Sequence, residues 1–234
     1  MKKVFADAFV FFKPKDIVSG DFYWFYKISK DEVIVALSDC TGHGVPGAFM
    51  SMIGISLLNE IVMDQKIYEP SKILLELHGR VKKSLQSKKE LTDTFDGMDI
   101  AVLRINFKEK RILLSSANQY AFVVKGDDVE TFLGDIYSIG DPLARDGIKF
   151  NTVSIDFKKD AIVYLTSDGF LDQFGGETGG KYSVGRFVEL LKRIKDEDFD
   201  KQRERLMKEF EEWKSGYAQL DDVLVIGIRI EPKS

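Results

Sequence analysis

The chain has 234 residues, of which 44% are hydrophobic, so it is long enough to bury a substantial core. Its 34 basic and 38 acidic residues give a formal charge of −4, and no basic stripe matches a phosphate backbone, which excludes nucleic acid as an expected partner. The single cysteine, Cys40, excludes an internal disulfide framework and predicts a reducing compartment, the cytoplasm.

The beginning of the chain predicts strands. Residues 4–12 are mostly apolar, but they include Asp7 and are too few to span a bilayer, so we expect a first strand and no direct membrane contact. Two further β-rich runs, residues 22–28 and 33–38, are separated by the polar residues 29–32. This spacing predicts an antiparallel hairpin.

Two helices are predicted next. Pro46 suits the first turn of a helix, and residues 47–63 are almost entirely apolar, which predicts a helix buried on all sides. Residues 70–87 carry apolar side chains on one stripe at helical spacing and predict a second helix. Its lysine pairs at 82–83 and 88–89 form a basic face, which meets either solvent or an acidic partner.

Strands dominate the middle of the chain, and helices return near its end. A first group predicts an antiparallel meander of residues 99–106, 111–117 and 120–125, and a second predicts a hairpin of residues 151–157 and 161–166. Helices at 183–195 and 199–214 and a strand at 223–230 follow. Because strands come in blocks, we predict one α+β domain over residues 1–234, with antiparallel sheets and outer helices.

Acidic residues stand at the ends of several apolar runs. They are Asp21, Asp39, Asp168 and the pair Asp221 and Asp222. A carboxylate where a buried strand enters a loop has a rigid support and an open side, which favours ligand binding. Each one alone is better explained as a turn residue, and the set of them favours a site. With only two histidines in the chain, a zinc site is disfavoured, and oxygen ligands indicate Mg²⁺ or Mn²⁺.

The segment after Asp39 has an unusual glycine content. Gly42, Gly44 and Gly47 allow close approach of the backbone to an ion, and the main-chain oxygen of Cys40 can face the same site as Asp39. The alternative is a tight turn between strand and helix with an acidic N-terminus. His43 is either a supporting group or general acid, or a residue that caps this turn.

Other catalytic motifs fail. Residues 175–181 have the spacing of a phosphate-binding loop, but Tyr182 replaces the required Ser or Thr, and a mobile flap beside the site is the better interpretation. A cysteine phosphatase loop needs an arginine where Pro46 stands. Residues 39–41 lack the Asp-x-Asp of aspartyl-nucleophile phosphatases. Water activated by a metal is the remaining nucleophile.

Residues 12–24, 38–51, 167–170 and 221–226, taken in order, resemble the PPM metal-dependent protein phosphatases, and most closely their bacterial SpoIIE/RsbU-type serine phosphatase branch. The resemblance implies an αββα sandwich, with two antiparallel β-sheets flanked by helices. It also implies two or more Mn²⁺ or Mg²⁺ ions in a cleft at one sheet edge.

The resemblance implies a role for each acid. Asp39 would bridge both metals, with the Cys40 carbonyl as a second contact, and Asp168 and Asp221 would bind the first metal. Asp21 would serve the second metal directly or through water. Asp222 occupies the position after a ligand and is included in the metal set. Asp39 and Asp168 would be catalytic through the metal-activated water.

The chain departs from the family pattern in three places. No arginine occupies an obvious phosphate-binding position near the first strand, which leaves Lys13 or Lys15. Residues 116–119 stand where many relatives carry a Gly-His pair, and no role follows for them. Residue 40 is Cys where many relatives have Gly or Val, which is tolerable if only its carbonyl is used.

The resemblance implies hydrolysis of phosphoserine or phosphothreonine in a regulatory protein of the anti-sigma-factor antagonist type. The alternative is a catalytically weak signalling or binding module with the same fold, whose signature would be lost metal ligands. Because such phosphatases often follow a sensor, we also expect either an upstream sensor domain or a homodimer as a regulatory partner.

Overall fold

The computed structural model of the protein describes residue 5 and residues 7–86, 97–141, 144, 147–157, 161–177 and 179–231. The strands in these ranges are β1 (Asp7–Lys13), β2 (Phe22–Lys27), β3 (Glu32–Cys40), β4 (Met98–Asn106), β5 (Arg111–Ala117), β6 (Tyr120–Lys125), β7 (Asp128–Leu133), β8 (Val153–Asp156), β9 (Ala161–Thr166), β10 (Phe174–Gly175), β11 (Gly180–Lys181) and β12 (Val223–Ile230). The α-helices are α1 (Gly44–Leu58), α2 (Pro70–Gln86), α3 (Asp168–Leu171), α4 (Ser183–Ile194) and α5 (Phe199–Lys214).

Two five-stranded sheets form the centre of the fold. Sheet I has the order β1-β12-β9-β6-β7, and sheet II has the order β2-β3-β4-β5-β8. All neighbouring strands within both sheets are antiparallel. Side chains such as Val35 and Leu103 of sheet II pack in one buried cluster with Val163 and Ile226 of sheet I. The two sheets are therefore stacked face to face around this core.

Helices cover the outer face of each sheet. Ile73 and Leu77 of α2 share a buried cluster with Ile34 and Val102 of sheet II, which α1 also joins. On the other side, aromatic side chains of α4 and α5 pack on sheet I, among them Phe187. The layer order is helix, sheet, sheet, helix, which confirms the predicted αββα sandwich.

Strand pairing confirms some predictions and corrects others. The hairpin of β2 and β3 is confirmed, as is the pairing of β4 with β5. The predicted meander is wrong at its third strand, because β6 joins sheet I beside β7 and β9. The predicted hairpin of residues 151–157 and 161–166 is also wrong, since β8 pairs with β5 in sheet II while β9 lies in sheet I. Alternating hydrophobicity shows that a strand is buried, but it does not specify its neighbour.

The apolar helix α1 is not buried on all sides, which corrects the prediction for residues 47–63. It continues as a π-helical segment, Asn59–Asp64, and its residues Val45, Phe49 and Met52 are 61%, 62% and 66% exposed. Within the described residues, Gly44–Asp64 is the one helix long and apolar enough to cross a membrane, by length and composition alone. One face packs on sheet II, since a Cβ at Gly54 would lie 2.9 Å from the Phe22 ring.

The basic face predicted for α2 is partly used within the chain. The ammonium group of Lys82 donates a hydrogen bond to the main-chain oxygen of Ala144 at 3.0 Å. Lys83 is exposed to solvent, and the pair at 88–89 lies outside the described residues.

Candidate metal centre

The predicted acidic residues meet at one end of the sandwich. Asp39 lies near the end of β3, and Asp168 follows β9 and begins α3. The pair Asp221 and Asp222 precedes β12, whose first residues lie beside the end of β9 because the two strands are antiparallel. Asp21 precedes β2, which pairs with β3. Strand order thus brings together four segments that are distant in the chain.

The carboxyl groups are close enough to influence each other. Burial raises the pKa of Asp39 well above its ordinary value, and repulsion from Asp21 and Asp168 adds to the shift. Burial likewise raises the pKa of Asp21, against a hydrogen bond with Ser167. Desolvation also raises the pKa of Asp168, while its hydrogen bond with Asp39 opposes the shift. Asp39 therefore lies close to both Asp21 and Asp168.

The donor set suits a hard cation. Within the described ranges, Oδ2 of Asp21 is buried and has no hydrogen-bond partner. A buried carboxylate oxygen without a partner is costly, and a divalent cation would satisfy it and relieve the repulsion between the acids. In the same ranges, no three His, Cys, Asp or Glu side chains are already arranged around one point as metal ligands.

The glycine-rich segment after Asp39 is a close-packed support. Gly42 and Gly44 have positive φ angles of 85° and 66°, which an L-residue rarely adopts. A Cβ at Gly20 would lie 2.8 Å from the Gly42 oxygen and 3.1 Å from the Cys40 oxygen. The loop of residues 14–21, which carries Asp21, therefore rests directly on the Cys40 carbonyl.

The thiol of Cys40 is buried, whereas the main-chain oxygen of Cys40 faces Gly20 of the 14–21 loop. The side chain is buried, and burial followed by repulsion from Asp39 raises the pKa of the thiol well above its ordinary value. A thiol in this state is a poor nucleophile. This geometry agrees with the rejection of cysteine catalysis from the sequence.

His43 does not cap the turn with its side chain. It occupies the N-cap position of α1, but its side chain makes no capping hydrogen bond there. Nδ1 instead lies 2.6 Å from Oδ2 of Asp16 in the 14–21 loop. Its role as a general acid stays a prediction.

Asp222 is placed differently from the other acids. Its Oδ1 accepts a hydrogen bond from the main-chain N–H of Lys15 at 2.7 Å, and its Oδ2 accepts one from Gly20 at 2.8 Å. Asp221 uses Oδ1 to accept from the N–H of Asp222 at 2.8 Å.

Of the two lysines considered for phosphate binding, Lys13 is paired with Glu211 at 2.6 Å.

Two supporting residues were missed from the sequence. Gln173 is 0% exposed, donates Nε2 to the Ala218 oxygen at 2.9 Å and accepts from the Leu220 N–H at 3.1 Å, which connects the α3 segment to residues 217–222. Asp99 is the cross-strand partner of Asp39. It accepts a hydrogen bond from Asn118 at 2.7 Å, which gives residues 116–119 a structural role. A lone Gln or Asp carries no sequence signal of this kind.

The glycine-rich loop at 173–181 is anchored where a mobile flap was predicted. Its described residues form the short ribbon of β10 and β11. The N–H of Gly176 donates to the Trp213 oxygen at 2.9 Å, and Nε1 of Trp213 donates to the Gln173 oxygen at 2.9 Å. The glycines are needed because a side chain at Gly175 would collide with the main chain of Trp213 on α5.

This fold with its acidic cluster is that of the SpoIIE-type serine phosphatase domains. The chain belongs to the SpoIIE family, since the family model described as Stage II sporulation protein E (SpoIIE) matches residues 29–231. A curated relative is the phosphoserine phosphatase RsbP of Bacillus subtilis, 21% identical over 222 residues, which are 94% of this chain and 51% of RsbP. The chain thus spans about half the length of this relative.

Solved structures share the fold. The SiaA-PP2C domain of Pseudomonas aeruginosa superposes with a TM-score of 0.86 at 26% identity, covering 96% of this chain and 86% of that one. The phosphatase domain of SpoIIE from Bacillus subtilis, with a fragment of its regulatory domain, superposes with a TM-score of 0.76 at 19% identity, covering 97% and 64%. RsbX, solved in complex with magnesium, superposes with a TM-score of 0.61 at 17% identity, covering 96% and 94%.

Proposed function

We propose that this protein is a metal-dependent serine/threonine protein phosphatase that acts on a regulatory phosphoprotein. One observation carries the proposal: acids from four separate segments converge at one end of the sandwich, and Oδ2 of Asp21 is buried there without a partner among the described residues. Such a cluster is unfavourable unless a cation binds it. Membership of a family of serine phosphatases supports the same conclusion.

Each acid has a proposed role that follows from its place. Asp39 would contact both ions, since both Asp21 and Asp168 are close to it. Asp168 and Asp221, with the Cys40 carbonyl, would hold one ion, and Asp21 would hold the other. Two or more Mn²⁺ or Mg²⁺ ions bound there would supply an activated water and offset the charge of the phosphoryl group. The side chains would hold the ions and thereby orient the water, and none of them would attack phosphorus.

The substrate is proposed from the relatives. RsbP is a phosphoserine phosphatase, and another structural relative is described in connection with the bacterial stressosome. These names support a phosphorylated regulatory protein as the substrate of this chain. The resemblance of the sequence motifs suggests one of the anti-sigma-factor antagonist type. A second role, as a catalytically weak binding module, would be favoured by missing acids, whereas Asp21, Asp39, Asp168 and Asp221 are all present.

We also propose that the protein works in the cytoplasm within a larger regulatory assembly. The lone buried Cys40 needs no oxidising compartment. The exposed apolar residues Val45, Phe49 and Met52 of α1 support contact with another protein surface, either a second copy or a sensor domain. Light scattering of the purified chain would show whether it forms the homodimer.

Phosphopeptide hydrolysis tests the proposed activity. Phosphate release should require Mn²⁺ or Mg²⁺, stop with EDTA, and be lost in Asp168→Asn. The matched control is Asp128→Asn, since Asp128 is exposed and pairs with Lys125 at the end of β6 that lies away from the cluster. A folded protein that binds the phosphoprotein without turnover under any metal would instead show the binding module.

A further inference from the structure

Asp222 holds the loop that carries Asp21. It is 2% exposed, and each of its carboxylate oxygens accepts a main-chain hydrogen bond from the 14–21 loop, one from Lys15 and one from Gly20. Gly20 immediately precedes Asp21. The contact with Gly20 joins residues that are 202 positions apart in the chain. No other acid of the cluster is bonded to this loop in the same way within the described residues.

We infer that Asp222 is a positioning residue, which fixes the 14–21 loop so that Asp21 meets the other acids, and that it is not one of the metal ligands. The inference rests on the metal centre proposed above. Asp222 would then position the loop, and Asp21 would bind the metal. The oxygens of Asp222 are both engaged by N–H groups, whereas Asp21 keeps one buried oxygen free.

The loop is held from two sides. Gly20 bonds to Asp222 on one side, and on the other its Cα packs against the Cys40 and Gly42 oxygens, with no room for a Cβ. A shift of the loop would therefore move Asp21 relative to both Asp39 and the Cys40 carbonyl. Ligand positions must hold within about 0.5 Å for good metal binding, so loss of this support should weaken it.

Asp222 itself is rigidly placed. Its own N–H donates to Asp221, and Oγ of Ser167 approaches its main-chain oxygen at 3.5 Å. A Cβ at Gly169 would collide with the Asp222 oxygen, so α3 packs directly on this main chain. Because the carboxylate is fixed and bonds to two N–H groups of the 14–21 loop, the position of this loop depends on where β9 ends and β12 begins. Changes to those donors should act in the same way as changes to Asp222.

The test separates the carboxylate from its main-chain partners. Asp222→Asn cannot accept both bonds, and Lys15→Pro removes one donor without touching the carboxylate. Lys15→Ala is the matched control, because it keeps the main-chain N–H. Mn²⁺ binding is measured by calorimetry without substrate, and electron paramagnetic resonance distinguishes a coupled Mn²⁺ pair from single ions. Thermal unfolding and circular dichroism check that each variant is folded.

We expect Asp222→Asn and Lys15→Pro each to weaken binding of one Mn²⁺ by about 10- to 100-fold and to replace the coupled spectrum by that of single ions. Lys15→Ala should bind as the wild type does. The double variant Asp222→Asn, Lys15→Pro should be no weaker than Asp222→Asn, because both changes break the same contact. In the metal-free wild type, the amide of Gly20 should be protected from hydrogen exchange, and Asp222→Asn should remove that protection.

Two results would overturn the inference. Normal pair formation in Lys15→Pro, together with loss in Asp222→Asn, would make Asp222 a direct ligand. An unchanged Mn²⁺ pair in Asp222→Asn would remove any role for it. A wild-type protein that forms no Mn²⁺ pair would instead refute the proposed metal centre, which the same titration shows before any variant is compared.

Discussion

The main-chain N–H of Asp168 lies 3.3 Å from Oδ2 of Asp39, although 129 positions separate the two residues. Asp39 belongs to β3 of sheet II, and Asp168 follows β9 of sheet I. This contact therefore bridges the two sheets at one end of the sandwich. The acidic cluster forms only when the sheets are stacked, and its repulsion opposes that stacking.

Removing one charge should stabilise the metal-free protein. In Asp39→Asn, repulsion with Asp21 and Asp168 is lost and a buried carboxyl becomes an uncharged amide. In EDTA, we expect the free energy of unfolding to rise by about 1 kcal/mol, with phosphopeptide hydrolysis reduced by about 100-fold or more in Mn²⁺. Urea unfolding and a phosphate-release assay measure the two effects.

The exposed Asp128 provides the control for this trade-off. Asp128→Asn should change neither stability nor activity, since the residue lies at the end of sheet I that is away from the cluster. A fall in metal-free stability in Asp39→Asn would contradict the view that the cluster is strained without a cation.

His78 should make stability depend on pH. Burial lowers the pKa of His78, followed by the charge of Lys82, and Nδ1 accepts a hydrogen bond from the Gly140 N–H at 3.2 Å. The folded state therefore binds fewer protons than the unfolded state. The stability that this residue contributes is fully present above the unfolded pKa of about 6.5. It is lost as pH falls from there toward the folded pKa, by about 1.4 kcal/mol for each pH unit between the two pKa values.

His78→Asn keeps an acceptor near the Nδ1 position without the titration. The acids of the metal centre make stability fall as pH rises, which is opposite to the effect of His78. The measured quantity is therefore the difference in the free energy of unfolding between wild type and variant, determined with urea at each pH. That difference should favour the wild type at pH 8 and narrow toward pH 5. A gap that is constant across this range would exclude His78 as the titrating group.

Gln173 should affect both the stability of the fold and the binding of Mn²⁺, although it lies far in sequence from Asp221. Gln173→Leu removes donors to the oxygens of Phe174 and Ala218 and the acceptor for the Leu220 N–H. We expect a loss of about 2–3 kcal/mol in the free energy of unfolding, because these groups lose their partner in a buried setting. Mn²⁺ binding should also weaken, since residues 217–222 carry Asp221.

Gln65→Leu is the matched change at an exposed glutamine, whose bonds are to Glu60 and Arg80. It should alter stability by less than about 0.5 kcal/mol. Equal effects of the two substitutions would argue against a special role for Gln173.

Cys40 should be dispensable as a side chain. Cys40→Ala should keep phosphatase activity within about two-fold, with a loss of about 1 kcal/mol in stability from reduced packing. Because burial raises the thiol pKa, iodoacetamide should modify the protein in guanidinium but not in the folded state. Loss of activity in a folded Cys40→Ala variant would show that the side chain, and not only the carbonyl, is needed.

Much of the local structure could be predicted from the sequence. The β2–β3 hairpin, the helices α2, α4 and α5, and β12 lie close to the predicted positions, because their apolar periodicity and turn residues are local signals. The partners of β6, β8 and β9 could not be predicted, since four residues or fewer between strands suggest a hairpin even where the chain crosses between sheets.

The site divides in the same way. The sequence by itself determined which acids stand next to apolar strands and that the order of motifs is that of SpoIIE-type phosphatases. It also predicts oxygen ligands for a metal. Only the tertiary structure decided that Asp222 bonds to the 14–21 loop, that Gln173 ties two segments together, and that α1 leaves one face exposed. These features depend on contacts between distant residues, and a hydrogen-bond partner 202 positions away leaves no periodic mark in the chain.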